Sequence, residues 1–105
     1  MMESVEERYL SVQIYMELLQ GAQNKKQHQQ IQDFLISFNF QVLPLTENIG
    51  HRACIYLEEY TLSNGIRARD AIVTATAAEN NLILVTSNVK HFRPIKDLRL
   101  KIFKP

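Results

Sequence analysis

One cysteine, Cys54, stands among 105 residues, and there is no tryptophan. A single thiol excludes an intramolecular disulfide and any metal site built from several thiolates. It fits a reducing compartment, and with no histidine placed by sequence to activate it, Cys54 reads as buried packing rather than a nucleophile. Glycine is scarce too: Gly21, Gly50 and Gly65 lie far apart, so there is no glycine-rich loop to cradle a phosphate. Excess charge of either sign is missing. Twelve Lys and Arg face eleven Asp and Glu, a formal net charge of +1. No global field draws the chain to nucleic acid or to a membrane, so any basic patch must be local. No apolar run approaches the ~20 residues a bilayer span requires. The opening MMESVEERY is acidic and has no apolar signal core, which argues against secretion. A cytoplasmic protein without membrane contact is the expectation.

What is present is a core. Hydrophobic residues make up 46% of the chain, enough for one small domain over residues 1–105. The stretch Arg67 to Phe92 organises it. Ala71, Ile72, Val73, Ala75, Ala77 and Ala78 leave a helix almost without a polar face, and such a helix packs closely on a sheet. Asn80-Asn81 breaks it. Leu82 to Val85 is then a continuous apolar run, the pattern of a strand covered on both faces.

Earlier in the chain, Tyr9 to Tyr15 is rich in β-formers and predicts a strand. Met16 to Gly21 turns helical, with Gly21 as its stop. Asn24 and Gln27 resemble a capping box for an amphipathic helix over Lys25 to Phe38, whose Ile31, Phe34, Leu35 and Phe38 share one face. Phe40 to Leu45 is a short strand that Pro44 ends or confines to an edge. Thr46 caps a helix over Glu47 to Tyr60, with Ile49, Ala53, Tyr56, Leu57 and Tyr60 inward. Ser63-Asn64-Gly65 is a turn. Leu98 to Phe103 alternates apolar and polar as a final edge strand. The order strand, helix, helix, strand, helix, helix, strand, strand argues for an α/β fold with a mostly parallel sheet.

Chemistry collects at one edge of such a sheet, beyond the carboxyl ends of its strands. Asp70 begins a helix antiparallel to the strand that ends before Asn88. Glu17 falls in the first helical turn after the Tyr9 strand, on the same topological edge. Each carboxylate also has a structural reading, as a helix-N-terminal charge stabilised by the dipole or, for Asp70, as a partner of Arg67 or Arg69. Asn88 can equally be a turn residue. Arg67, Arg69, Lys90 and Arg93 can contact phosphates or simply solvate the surface. His91 sits beside Phe92 as a structural residue. His28 and His51 have no ligand spacing and belong on exposed helix faces.

Four segments together carry a family resemblance: LSVQIYMELLQGA, VLPLTENIGHRA, SNGIRARDAIVTATA and LILVTSNVKHF. In order and spacing the chain resembles the PIN-domain ribonucleases, specifically the VapC-type toxins of bacterial toxin–antitoxin pairs. The resemblance covers essentially the whole chain and implies a three-layer α/β/α fold. It also implies an endoribonuclease with Mg²⁺, or Mn²⁺, held by clustered carboxylates. Glu17 and Asp70 fall at the family's acidic positions and would be its metal-binding and catalytic residues here, with Asn88 orienting water or phosphate. An RNA substrate, a cognate antitoxin and a homodimer are the implied partners. Two departures stand out. The family's first strand, ending in an aspartate, has no counterpart before Glu3, so the domain reads as partial, N-terminally truncated, with fewer metal-binding charges and weak or no activity. Arg69 replaces the family's small residue beside Asp70. The alternative reading is a non-catalytic module that dimerises or binds an antitoxin, its apolar strand edges filled by a second chain or by direct pairing of Tyr9–Tyr15 with Leu82–Val85.

Overall fold

The elements occur in the predicted order. The structure, a computed structural model, describes residues 8–86, 95 and 99–102. They fall into two units, Met1–Pro44 and Leu45–Pro105.

In the first unit, β1 (Arg8–Ser11) leads into α1 (Val12–Gly21), then α2 (Lys25–Ser37) and β2 (Phe40–Leu43). The strand is shorter than the β-rich segment Tyr9–Tyr15 predicts, and the reason is Ser11. Its hydroxyl accepts the Ile14 N–H at 3.2 Å, satisfying one of the donors a helix start leaves open. That cap starts the helix at Val12 and overrides the strand preference of Val12, Ile14 and Tyr15. Gly21 does end α1 but in no special conformation; the following Ala22 N–H donates to the Leu19 carbonyl at 3.1 Å.

Asn24 caps α2, accepting the Gln27 N–H at 2.9 Å. Gln27 reaches back to the Gln23 N–H at 2.7 Å, one residue earlier than a standard capping box. Of the stripe expected to face inward, Leu35 is buried, whereas Phe34 is 53% exposed and Phe38 also lies open. The two rings pack on each other instead, with centroids 4.5 Å apart. Asn39, at φ 59°, turns the chain into β2; asparagine tolerates this left-handed region better than most residues. β2 pairs with β1 in parallel, from Arg8 opposite Phe40 to Ser11 opposite Leu43, and Pro44 follows it as expected.

The second unit holds α3 (Glu47–Asn64), α4 (Ala68–Glu79), β3 (Ile83–Thr86) and β4 (Arg99–Ile102). Thr46 caps α3, accepting the Ile49 N–H at 3.2 Å. The helix runs a turn beyond Tyr60, because Thr61 to Asn64 remain helical until Gly65 takes φ 70° and donates to the Thr61 carbonyl at 2.9 Å. Glycine suits that position because a Cβ there is strained. Ile49, Ala53 and Tyr56 of α3 are buried with Ile66, Ala71, Ala75, Ala77 and Ile95, and Leu57 and Tyr60 pack against them. The alanines let α4 lie close to α3, and the few large side chains fill the remaining space. Across the same pair, Arg52 meets Glu79 at 2.5 Å and donates to the Tyr56 hydroxyl at 3.3 Å. The Tyr56 hydroxyl above all holds the Arg52 guanidinium charged even more firmly than usual; burial opposes it, and Glu79 adds to it.

Asn81, at φ 56°, ends α4. The Leu82 N–H donates to Ala77 O at 2.8 Å and the Asn81 N–H to Ala78 O at 3.2 Å, the two bonds of a Schellman ending. β3 pairs with β4 in parallel, from Ile83 opposite Arg99 to Thr86 opposite Ile102. Ile83 is 52% exposed, so at that position the run Leu82–Val85 is not covered as its composition predicts. Both ladders are parallel, as the α/β reading requires. They form two two-stranded sheets, β1 with β2 and β3 with β4, and among the described residues no ladder joins β1 to β3.

Candidate active site

Asp70 sits in the first turn of α4. Gly65 ends α3, Ile66 anchors the connection in the core, and Arg67 occupies the position just before the helix, in extended backbone. This local design fixes where α4 begins and hence where Asp70 stands. The first-turn N–H groups and the helix dipole favour a negative charge there. The Asp70 side chain is half-buried at 15% exposure, and Arg69 Nη1 approaches its Oδ1 at 3.4 Å. The structural alternative foreseen for Asp70, an ion pair with Arg69, is therefore present. Arg67 makes no capping bond through its side chain and is exposed.

Glu17 lies in the other unit. It falls in the second turn of α1, not the first, because Ser11 starts the helix earlier than the sequence pattern suggests. The helix N-terminus thus gives it little direct stabilisation. Its carboxylate accepts from Gln13 Nε2 at 3.0 Å, an i,i+4 pair on one face of α1. Glu17 also edges a groove of about 610 Å³ between α1 and α2, whose walls include Leu18, Ile31, Phe34 and Leu35. The groove is apolar with one acid and two amides, Gln27 and Gln30, along it.

Asn88, Lys90, His91 and Arg93 lie outside the described residues, so the expectations placed on them stand on sequence alone. His28 and His51 are exposed as expected, and His28 Nε2 lies 2.9 Å from the Leu19 carbonyl at the end of α1. Cys54 is exposed rather than buried packing: it lies on the face of α3 turned away from Ala53 and Tyr56. Thr74, in α4, is fully buried and its hydroxyl has no hydrogen-bond partner among the described residues. Nothing in a run of alanines and threonines marks that position in advance. Thr76, two residues on, uses the ordinary solution and donates to the Ile72 carbonyl at 2.7 Å.

Among the described residues no three His, Cys, Asp or Glu side chains form a cluster. A closed protein cage for zinc is not formed by them. Carboxylate oxygens suit a hard cation, and Mg²⁺ is commonly held by only one or two carboxylates together with waters. Asp70 and Glu17, each a carboxylate, offer the donor type that ion takes. No helix among the described residues is long and apolar enough to cross a membrane.

The PIN domain family model matches residues 1–97. Solved structures are similar as well. A chain of a toxin–antitoxin complex from Klebsiella pneumoniae is 30% identical at a TM-score of 0.68, the match spanning 84% of this chain and 68% of that one. A chain of VapBC-1 from nontypeable Haemophilus influenzae is 25% identical at a TM-score of 0.76, over 96% of this chain and 78% of that one. A chain of VapBC2 from Rickettsia felis, solved with a fragment of promoter DNA, is 24% identical at 0.72, over 90% and 73%, and at that identity it speaks for the fold alone. No curated protein matches the sequence.

Proposed function

The chain belongs to the PIN domain family, and from that premise we propose that it is a metal-dependent endoribonuclease of the VapC toxin class. Asp70 and Glu17 hold the cation, Mg²⁺ or Mn²⁺. When bound, that ion supplies positive charge at the phosphodiester and acidifies the attacking water. The chain's own residues do the rest. Asn88 orients the water or a phosphate oxygen by hydrogen bonding. Arg67, Lys90 and Arg93, with Arg69, contact the RNA backbone and set its register without reading its sequence. The observation that carries this reading is Asp70, a half-buried carboxylate in the first turn of a helix whose start is fixed by a buried isoleucine and a left-handed glycine.

The test is cleavage of a structured RNA with Mg²⁺ present. Asp70→Asn and Glu17→Gln should each slow it by about 10² or more, the scale of removing one charge-stabilising contact at a reacting centre. Unchanged cleavage by both variants would overturn the assignment.

A second reading has its own observation. In the first unit Met16, Leu18, Phe34, Ile36 and Phe38 are all exposed, and apolar surface of this kind marks protein contacts. The chain then acts by binding an antitoxin or a second copy of itself. Sedimentation of the purified chain alone and with a VapB-type antitoxin separates these: a monomer at high concentration that also ignores the antitoxin would dismiss the binding role.

A further inference from the structure

We propose that Arg69 is an internal competitor for the cation at Asp70, so that metal loading must displace its guanidinium. The inference rests on the reading of Asp70 as a metal-holding carboxylate. Neighbouring residues on a helix do not face one another, yet the long Arg69 side chain brings Nη1 to 3.4 Å from Asp70 Oδ1. Arg69 is 52% exposed and Asp70 only 15%. The guanidinium is thus the more solvent-accessible partner of a carboxylate that is largely covered.

The distance decides what kind of device this is. A strong charge-assisted bond between a guanidinium and a carboxylate lies near 2.7–2.9 Å and is often bidentate. The contact here, Nη1 to Oδ1 at 3.4 Å, is longer. At that distance it is weaker than such a bond, and a divalent cation can compete with it. Both the guanidinium and the α4 N-terminus already offset the charge of Asp70, so the gain on binding a cation is smaller than for a bare carboxylate. Displaced from Asp70, Arg69 remains a cation next to the site and can contact an RNA phosphate. One side chain would then oppose metal binding in the absence of substrate and favour substrate once metal is bound.

The experiment is Mn²⁺ binding to the full chain, followed by electron paramagnetic resonance of free Mn²⁺. Four proteins are compared: wild type, Arg69→Gln, Arg69→Lys and Asp70→Asn. Removing the charge in Arg69→Gln should tighten Mn²⁺ binding about three- to fivefold, the range of a partly exposed ion pair. Arg69→Lys keeps the charge and should stay near wild type. Raising KCl should narrow the difference by screening, which a purely structural effect of the substitution would not do. Equal or weaker binding by Arg69→Gln overturns the competitor role while leaving Asp70 as the ligand. Binding that Asp70→Asn does not weaken overturns the reading of Asp70 itself, and the competitor role with it.

Discussion

Ile66 is the residue on which the placement of Asp70 depends mechanically. It follows the left-handed Gly65, precedes the start of α4, and is 1% exposed within the α3–α4 core. Ile66→Ala deletes three buried carbons. At roughly 0.8 kcal/mol for each, the lost transfer free energy is about 2.4 kcal/mol. The core cluster it belongs to includes several alanines that cannot extend to fill the space, so a cavity term adds to this, for a total of about 3–4 kcal/mol. Domains of this size are stable by only about 5–15 kcal/mol, so a large fraction is lost. The assay is urea denaturation followed by circular dichroism, with the midpoint falling and the slope preserved. Leu62→Ala serves as the control. Leu62 belongs to the same stretch of chain but is 101% exposed, and its truncation should change stability by no more than about 0.5 kcal/mol. A loss below about 1 kcal/mol for Ile66→Ala, or one no larger than that for Leu62→Ala, would refute the claim that this connection is held by core packing.

Two further outcomes follow from the same helices. Gly65→Ala forces a side chain into left-handed backbone and should cost about 1–2 kcal/mol in the same denaturation experiment; an unchanged midpoint would mean that the end of α3 does not need its glycine. Thr74→Val removes a buried hydroxyl that lacks a partner among the described residues and keeps its shape. It should be neutral or stabilising by up to about 1–3 kcal/mol, and a clear loss of stability would show that the hydroxyl is satisfied.

Much of this was legible because it is local. Thr46 and Asn24 cap the helices their spacing predicts, Asn81 ends α4, and the inward face of α3 is the one its 3.6-residue period marks, although α3 runs on to Gly65 through residues that read as a turn. Such signals depend on neighbours in sequence and survive whatever surrounds them. The failures are those that depend on what packs where. Tyr9–Tyr15 carries a strand's composition, yet one serine hydroxyl starts a helix inside it. Phe34 and Phe38 share an amphipathic face with Leu35, but only Leu35 finds cover. Ile83 belongs to an apolar run and is half open. Periodicity tells which residues share a face; it does not tell whether another element covers it. At the site, Asp70 was legible as a helix-initiating acid and Glu17 as an acid on α1. The turn of α1 that carries Glu17 was not, since it moves with the helix start.

The central proposal is that Asp70 and Glu17 hold one cation. Paramagnetic broadening by trace Mn²⁺ in a ¹⁵N-labelled sample tests it most directly. The account predicts that amide signals around Glu17 and around Asp70 broaden together at the same Mn²⁺ concentration, and that Asp70→Asn suppresses both. Broadening around one carboxylate with the other untouched, or broadening that ignores Asp70→Asn, would contradict it.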